Sequence, residues 1–355
     1  MDALTTPSNW QRVRLGDILT LKHGRDYKNF KLGNIPVYGS GGYMLSINNF
    51  LHNGESVCIG RKGTIDKPIY LNGKFWVVDT LFYSYSFKKS IPKFIFYAFS
   101  IIKWSNYNEA TGVPSLTKMT ISNIEIPLPP LNEQIAIANI LSDVDHYLYS
   151  LDALILKKEG VKKALSFELL SQRKRLKGFN QAWQRVRLGD IANYLTSNLS
   201  AEQITQQGKI KVYDVNNFIG YTNTTFISDK PYISIVKDGS VGRVRILPPK
   251  TNILSTMGAL IANHKTTTEF LFYLLSNFDF KNFTSGSIIP HIYFKDYKEK
   301  TIFLPPLNEQ IAIANVLSGL DREITSLKNK KRQFDNIKKV LNHDLMSAKI
   351  RVLNK

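Results

Sequence analysis

Apolar and polar residues follow two different periods along the chain. Over residues 10–127 and 183–303, short β-rich runs such as Ser56–Ile59 and Ile233–Val236 lead into glycine turns, which predicts mixed α/β domains with short strands. After each of these regions, apolar residues recur at alternating steps of four and three, which is typical of a helix with a heptad seam. The seam positions are Ile137, Leu141, Val144, Leu148, Leu151 and Ile155 in the first helix, and Ile313, Leu317, Leu320, Ile324, Leu327, Phe334, Leu341 and Leu345 in the second. Lys331 and Lys338 interrupt the second seam.

The two halves of the chain are copies of one sequence. WQRVRLGDI occurs at Trp10–Ile18 and again at Trp183–Ile191, and LPPLNEQIAIAN occurs at Leu128–Asn139 and again at Leu304–Asn315. Between these borders the copies diverge but stay in register, so that Gly63 corresponds to Gly239. A repeat of this length indicates a duplicated domain with a duplicated connector rather than a solenoid.

Each predicted helix follows two prolines, with Asn132 and Asn308 as the expected N-caps. A helix of about 40 residues is about 60 Å long, which is more than a small domain needs. Packing of each helix on its own domain is one interpretation, and pairing of the two helices is the favoured one. Related by a pseudo-twofold axis, they would run antiparallel and hold two heads apart. The basic stretch Arg173–Phe179 is either a solvated helix end and turn or a binding site.

Length and charge narrow the choice of partner. The chain has 355 residues and a formal net charge of +19, which predicts about two domains and a polyanionic partner. Nucleic acid is the first expectation and an anionic membrane surface the second. The single cysteine, Cys58, excludes an intramolecular disulfide and favours a reducing, cytoplasmic compartment. No apolar run reaches the roughly 18 residues of a membrane span, and the N-terminus lacks the pattern of a signal peptide.

A basic glycine turn is present in both halves and is the first candidate for DNA contact. It lies at Gly60–Pro68 and at Lys237–Val244, where Gly63 and Gly239 permit a tight hairpin. Such a hairpin can approach a phosphate backbone or enter a groove, although an ordinary solvated hairpin is the alternative. The residues predicted here to bind DNA are Arg61, Lys62, Thr64 and Lys67 in the first half, and Lys237, Ser240, Arg243 and Arg245 in the second.

Two further stretches differ between the halves. YGSGGY at Tyr38–Tyr43 is replaced by YDVNNF at Tyr213–Phe218, and Asn or Asp side chains can hydrogen-bond adenine or cytosine. TGVPSLTK at Thr111–Lys118 is replaced by SIIPHIYFK at Ser287–Lys295. These differences predict two heads of one fold that read different bases. The candidate contacts are Tyr38, Ser40, Ser115, Thr117 and Lys118 in the first half, and Tyr213, Asn216, Asn217, His291, Tyr293 and Lys295 in the second.

Recognisable catalytic motifs are missing from the sequence. It has no phosphate-binding loop motif, no dinucleotide fingerprint, no amino-methyltransferase tetrapeptide and no nuclease carboxylate–Lys pair, and its six histidines and one cysteine have no zinc spacing. This pattern favours a binding protein or scaffold. A two-headed DNA-binding regulator, a coiled-coil adaptor and a nuclease are the rival classes. The aromatic runs Phe94–Ser100 and Phe270–Ser276 are expected in the core rather than as stacking platforms for single strands.

The repeated WQRVRLGDI, the LPPLNEQIAIA before each long helix, and GRKGTIDKPIYLNGKFWVVDTLFY at Gly60–Tyr83 resemble the specificity (S) subunits of type I restriction–modification systems over essentially the whole chain. The resemblance implies an α+β fold with an internal pseudo-twofold repeat. Its target recognition domains would be residues 1–130 and 178–306. The long helices 131–177 and 307–355 would separate them as an antiparallel coiled coil.

The resemblance also implies a function in host defence. The chain would be a non-catalytic subunit that recognises a bipartite, asymmetric site in double-stranded DNA, with the helices as a ruler between the half-sites. It would dock two adenine methyltransferase (M) subunits and the restriction (R) subunits, without any membrane. No cofactor is expected on this chain, since S-adenosylmethionine belongs to M, and ATP with magnesium belongs to R. No catalytic or metal-binding residue is expected.

Overall fold

The computed structural model describes residues 7–353, which form two compact units. Unit 1 takes the chain up to Asp152 together with the residues from Asn329 onward, and unit 2 is Ala153–Lys328. Each unit contains one globular head and part of each long helix. We call the heads head 1 and head 2.

From residue 7 onward, head 1 contains ten short strands and three short α-helices, followed by the first long helix. Its elements are β1 (Gln11–Arg14), α1 (Leu15–Ile18), β2 (Thr20–His23), β3 (Leu32–Gly39), β4 (Gly42–Ile47), β5 (His52–Asn53), β6 (Ser56–Gly60), β7 (Ile69–Leu71), β8 (Lys74–Val77), β9 (Leu81–Tyr85), α2 (Pro92–Ile101), α3 (Lys118–Asn123) and β10 (Glu125–Leu128), before α4 (Leu131–Leu170).

Head 2 repeats this order with local changes. Its elements are β11 (Gln184–Arg187), β12 (Ala192–Thr196), β13 (Ile210–Tyr213), β14 (Phe218–Thr222), β15 (Tyr232–Val236), β16 (Val244–Leu247), β17 (Asn252–Ile253), β18 (Met257–Ala262), α5 (Thr268–Ser276), β19 (Thr284–Ser285), β20 (His291–Ile292), α6 (Phe294–Tyr297) and β21 (Thr301–Leu304), before α7 (Leu307–Met346).

The sheets of the two heads have matching strand orders. In head 1 they are β2-β9-β6-β7 and β4-β3-β8-β5, and in head 2 they are β12-β18-β15-β16 and β14-β13-β17. The borders of the repeat pair with each other, because β1 is antiparallel to β10 and β11 is antiparallel to β21. Only head 1 has β5, and only head 2 has the small β19-β20 hairpin. The sequence prediction of one mixed α/β architecture in both halves is confirmed.

The core of each head lies on both faces of one central strand. In β6, Val57 and Ile59 pack in a cluster with Phe94 of α2, whereas Cys58 between them packs in a second cluster with Phe75. This two-residue alternation buries every residue of β6, and β15 of head 2 is buried in the same way. The aromatic runs of α2 and α5 are therefore core helices, as the sequence predicted.

The two long helices pair within each unit. The seam residues Ile137, Leu141, Ile313 and Leu317 are all buried. In unit 1 the lysines that interrupt the seam meet aspartates of α4, since Lys331 bonds Asp152 at 2.9 Å and Lys338 bonds Asp145. In unit 2, Lys328 bonds Glu159 at 2.6 Å and Lys158 bonds Glu323 at 2.8 Å. In unit 1, the lysine later in α7 therefore meets the aspartate earlier in α4. The same order holds in unit 2, where Asp321 pairs with Lys162 and Lys328 pairs with Glu159, so the pairing is antiparallel.

The LPPLNEQ motif holds the start of each long helix on its head. Glu133 is buried and accepts from Trp10 Nε1 at 3.0 Å and from Arg351 Nε at 2.8 Å. Glu309 likewise accepts from Trp183 Nε1 at 3.0 Å and from Arg175 through two bonds of 3.0 and 2.6 Å. We call these the Glu133 clamp and the Glu309 clamp. Each ties together the first border of the repeat, the start of one long helix and the segment that follows the end of the other.

The helix ends differ from the sequence expectation in two respects. The helices begin at Leu131 and Leu307, so the prediction that Asn132 and Asn308 are N-caps is wrong. The carbonyl of Pro130 already accepts from the amides of Glu133 and Gln134, which places the cap two residues before Asn132. The first helix ends at Leu170 rather than at 177, where Gln172 has φ +62°. The second helix ends at Met346, and residues 354 and 355 of its expected range lie outside the described residues. Arg175 of the basic stretch serves the Glu309 clamp.

Candidate nucleic-acid interface

Head 1 brings the three predicted stretches together. The amide of Gly63 donates to Pro114 O at 2.8 Å, and the amide of Leu116 donates to Arg61 O at 2.9 Å. Lys62 and Ser115 form an isolated antiparallel bridge between these bonds. A Cβ on Gly63 would lie 3.2 Å from Ser40 Oγ, so the Tyr38–Tyr43 loop reaches the same place. We call the three stretches in each head the loop cluster.

Thr80 joins two parts of the loop cluster of head 1. Its hydroxyl accepts from the amide of Ser40 at 3.3 Å, and its carbonyl accepts from Arg61 N at 2.8 Å and Lys62 N at 3.3 Å. In head 2 the carbonyl of Thr256 accepts from Lys237 N at 3.1 Å. The sequence comparison matches these two threonines, but it cannot show that a hydroxyl and a carbonyl near the start of β9 anchor two distant loops.

Head 2 repeats the frame with other side chains. The amide of Gly239 donates to Pro290 O at 2.9 Å, and the amide of Ile292 donates to Lys237 O at 2.9 Å. Asp238 and His291 take the bridge positions of Lys62 and Ser115, and their side chains bond, with His291 Nδ1 2.7 Å from Asp238 Oδ1. A hydrogen-bonded aspartate–histidine pair therefore stands where head 1 has a lysine and a serine.

The Tyr213–Phe218 loop of head 2 is tied to β16 by Arg245. The guanidinium lies 5.2 Å from the centre of the Tyr213 ring and donates from Nη1 to Asn216 O at 2.9 Å. The Oδ1 atom of Asp214 accepts from the amides of Asn216 and Asn217, at 2.7 Å each. Asp214 Oδ1 thus holds the turn, whereas the side chains of Asn216 and Asn217 are exposed.

The glycine turns are less tight than predicted. The connection between β6 and β7 runs from Arg61 to Pro68, and that between β15 and β16 runs from Lys237 to Arg243. A two-residue turn is too short for the observed contacts, because each connection reaches sideways to the third stretch of the loop cluster. Gly63 and Gly239 have φ +89° and +81°, so the left-handed backbone expected of both glycines is present.

The predicted contact residues fall into three groups. Some are held by their own head: Arg61 donates to Asp79 O at 3.1 Å, and Thr117 caps α3 and donates to Glu109 Oε1 at 2.9 Å. Hydrogen bonds from Thr120 and Thr117 hold the pKa of Glu109 below its ordinary value. Thr64, Tyr38, Ser40, Ser115, Lys237, Tyr213 and His291 are half-buried. The exposed ones are Lys62, Lys67, Lys118, Asn216, Asn217, Ser240, Arg243, Tyr293 and Lys295.

The exposed residues give both loop clusters a cationic rim. Lys295 Nζ lies 5.5 Å from the centre of the Tyr293 ring, and that ring stacks near His291 with a centroid separation of 6.5 Å. An exposed lysine beside a flat aromatic ring, as at Lys295 and Tyr293, suits contact with phosphates and bases. This geometry supports the predicted interface, while the individual contacts stay predictions.

The sequence and the fold also match known proteins. Residues 7–158 and 180–334 match the family model described as the type I restriction modification DNA specificity domain. The chain belongs to this family. The two matched segments of this specificity protein cover the two copies of its repeat, and recognition of DNA sequence is the function that the family implies.

Relatives of this specificity protein share most of its length. It is 24% identical to the type I restriction enzyme MjaVIII specificity subunit of Methanocaldococcus jannaschii, over 100% of this chain and 96% of the relative. It is 29% identical to the putative type I restriction enzyme MjaX specificity subunit of the same organism, over 74% of this chain and 68% of the relative. Its fold is similar to the crystal structure of the type I restriction–modification S subunit from M. genitalium, with a TM-score of 0.70, 20% identity and 97% coverage of each chain.

The described residues were also compared with the requirements of metal-binding sites and of membrane spans. Among residues 7–353, no group of three or more His, Cys, Asp or Glu side chains is arranged to hold a metal ion. No helix in that range is long and apolar enough to cross a membrane.

Proposed function

We propose that this chain is the non-catalytic subunit that recognises a bipartite, asymmetric DNA site, with head 1 reading one half-site and head 2 the other. One observation carries the proposal. The two loop clusters have the same backbone hydrogen bonds, but Lys62 and Ser115 in one correspond to Asp238 and His291 in the other. Equal frames with unequal side chains are what two readers of different base sequences require.

The proposed test exchanges one reader. Residues 19–127 are replaced by the corresponding head of another member of the family, and methylated adenines are mapped in a host that also expresses the methyltransferase. We expect one half-site to change and the other to stay. The reciprocal replacement of residues 192–303 is the matched control and should change the other half-site. A change in both half-sites after either exchange, or in neither, would contradict the assignment.

A binding measurement separates this proposal from its rivals. The affinity of the full chain, with its methyltransferase, for a duplex carrying the mapped site should fall steeply with salt, because lysines that bind phosphates release counterions. A coiled-coil adaptor without DNA would show no such dependence. A standalone regulator would bind the site equally well without any methyltransferase.

We further propose that the long helices dock the methyltransferase subunits, and with them the restriction subunits. Leu131 and Ile135 are exposed in the first turns of α4, and Leu307 and Ile311 are exposed at the same positions of α7. Apolar side chains in equivalent exposed positions favour a partner surface that occurs once in each unit, which fits two methyltransferase copies. S-adenosylmethionine would then be bound by the methyltransferase, and ATP with magnesium by the restriction subunit.

Introducing positive charges into this apolar face tests whether it docks the methyltransferase. We expect Ile135→Lys with Ile311→Lys to abolish co-purification with the methyltransferase, because a lysine cannot be desolvated in an apolar contact without cost. Leu32→Lys, at an exposed apolar position of head 1, is the control and should have no effect. Retention of the methyltransferase by the double variant would exclude this surface.

A further inference from the structure

An exposed apolar residue occupies the same place in both loop clusters. Val113 and Ile289 are each 55% exposed, and each immediately precedes the proline whose carbonyl holds the glycine turn. Head 2 adds Ile288, which is 91% exposed. Single exposed apolar residues are common on protein surfaces. Here, however, the exposure recurs in a stretch where the neighbouring residues differ between the heads.

The loops that carry these side chains are closed and braced. In head 1 the amide of Glu109 donates to Ser115 O at 3.0 Å, and Asn108 Oδ1 accepts from the amides of Ala110 and Ser115 at 3.2 and 2.9 Å. In head 2, Ser285 pairs with His291 across the β19-β20 hairpin. Each frame leaves a five-residue tip, at residues 110–114 and 286–290, and we call these the tip loops.

The tip loop of head 2 is a compact turn. Gly286 has φ +89°, and a Cβ there would lie 2.3 Å from Ile289 O. The backbone thus packs against itself while the side chains of Ile288 and Ile289 point into solvent. A rigid tip of this kind loses little conformational entropy when it enters a groove.

The charges around the tip loops favour a polyanion as the occupant. Lys62 and Lys118 are exposed residues of the loop cluster that carries Val113, and Arg243 and Lys295 are exposed residues of the cluster that carries Ile289. Proteins that bend DNA use apolar side chains flanked by basic ones, and insert the apolar side chain between base pairs. Lysine is depleted at protein–protein interfaces, whereas three of these four exposed cations are lysines.

We propose that Val113 and Ile289 are apolar wedges that enter the base stack, one beside each half-site, and partly unstack one base-pair step. The inference rests on the proposed function. The polar side chains of the loop clusters differ between the heads, because each head is proposed to read different bases. The exposed apolar residue recurs in both heads, because unstacking does not depend on the base sequence. Unstacking beside the half-site also lowers the cost of extruding a base, which enzymes that modify DNA bases require.

The test uses threonine variants, in which a hydroxyl group replaces an apolar group of the side chain. Val113→Thr preserves shape, and Ile289→Thr shortens the side chain as well, so Ile289→Val is its size control. The complex of the full chain and its methyltransferase is bound to duplexes that carry the mapped site, with 2-aminopurine at successive positions. We expect bright fluorescence, which reports unstacking, at one step beside each half-site. Val113→Thr should abolish the signal at the first half-site alone, Ile289→Thr at the second alone, and each should weaken binding about tenfold.

Each other outcome overturns the wedge while leaving the proposed function standing. If wild-type binding produces no unstacked step, or if both threonine variants retain it, the side chains do not enter the stack. If replacing thymine by uracil in the half-site weakens binding as much as Val113→Thr does, Val113 reads a thymine methyl group instead. If the variants bind DNA normally but lose the methyltransferase, the tip loops are protein contacts. Failure of the proposed function itself would appear earlier, as the absence of any mapped site.

Discussion

The two heads agree in their backbone and disagree in their side chains. Gly63 and Gly239 donate to Pro114 and Pro290 over 2.8 and 2.9 Å, so the frames of the loop clusters are nearly superimposable in their bonding. Within that frame, head 1 leaves Lys62 exposed and free of any carboxylate within salt-bridge distance among the described residues, whereas head 2 joins Asp238 to His291 at 2.7 Å. The comparison teaches that the shared main-chain bonds hold the common frame of both loop clusters, whereas the side chains at the bridge positions vary and are available for recognition.

The first prediction, with the largest expected effect, concerns the Glu133 clamp and the Glu309 clamp, which have the same bonding in both units. We expect Glu133→Gln and Glu309→Gln each to lower the free energy of unfolding by about 3 kcal/mol, because a buried charge partner is lost beside a Trp N–H and an Arg. Guanidinium unfolding followed by tryptophan fluorescence measures the change. Glu323→Gln, in the exposed pair with Lys158, is the control and should cost less than about 1 kcal/mol. A large effect in one unit and none in the other would show that the clamps are not equivalent.

The second prediction exchanges the side chains at the two bridge positions of the loop clusters. Asp238→Lys with His291→Ser gives head 2 the bridge residues of head 1. We expect the second half-site to change or relax, with discrimination at one base altered about 10- to 100-fold, the range of one base contact. Mapping of methylated adenines reads the result. The reciprocal Lys62→Asp with Ser115→His should alter the first half-site alone, and an unchanged methylation pattern in both cases would remove these pairs from recognition.

The third prediction concerns the equivalent hydrogen bonds that join each head to a long helix. Tyr97 donates to Asp145 Oδ2 and Tyr273 donates to Asp321 Oδ2, both at 2.7 Å. We expect Tyr97→Phe and Tyr273→Phe each to cost about 1 kcal/mol in urea unfolding. Tyr149→Phe, at an exposed position of α4, serves as the control and should cost nothing measurable.

These tyrosines also predict a dependence on pH. Burial raises the pKa of Tyr97 and Tyr273 above the ordinary value of 10.0, and their hydrogen bonds to Asp145 and Asp321 raise it further. A raised folded-state pKa contributes stability that is complete below pH 10 and is lost as the pH rises above it, because the unfolded tyrosine ionises first. The phenylalanine variants should therefore lose less stability between neutral and strongly alkaline pH than the wild type. An identical pH profile would contradict the buried hydrogen bonds.

The smallest expected effect on stability is at a position where head 1 has a thiol and head 2 has a hydroxyl group. Cys58 lies at the centre of β6, and Ser234 occupies the matching position of β15. Since Ser56 Oγ lies 3.7 Å from Cys58 Sγ, a hydroxyl would find a partner, and Cys58→Ser should cost less than about 1 kcal/mol. Burial raises the pKa of the Cys58 thiol from 9.0 to about 12. The thiol contribution to stability is therefore complete below pH 9 and decreases toward pH 12, and the serine variant should lack this decrease.

A thiol reagent checks the same burial directly. Native protein should react with iodoacetamide far more slowly than guanidinium-unfolded protein, because the buried thiol is neither ionised nor accessible. Equal rates would show that the central strand of head 1 opens readily.

Local pattern was sufficient to predict the repeat, the long helices and their pairing. The seam of Ile137 and Leu141 is a property of neighbouring turns of one helix. Lys338, which interrupts the second seam, forms an ion pair with Asp145 of the other helix and so remains compatible with the pairing. The left-handed glycines of the turns were predictable for the same reason, since φ is a local property.

Contacts between residues that are far apart in the chain could not be predicted from the sequence. Glu133 belongs to the repeated LPPLNEQ motif, but its partners Trp10 and Arg351 lie 123 and 218 residues away. The bond from Gly63 to Pro114 is similarly non-local, which is why a tight hairpin was expected where a longer connection exists. Asp238 was missed because an aspartate in a basic turn appears unfavourable until His291 is placed beside it. Val113 and Ile289 belong to the two divergent stretches, but a single apolar residue in a loop has no sequence feature that distinguishes an exposed contact from a core position.

The bond between Gly63 and Pro114 has an evolutionary consequence. A site held by amide and carbonyl groups is insensitive to the identity of most side chains displayed around it, so substitutions that acquire a new target sequence do not first have to be rescued from misfolding. In such a protein, innovation at the recognition surface can proceed by single steps through fully folded intermediates.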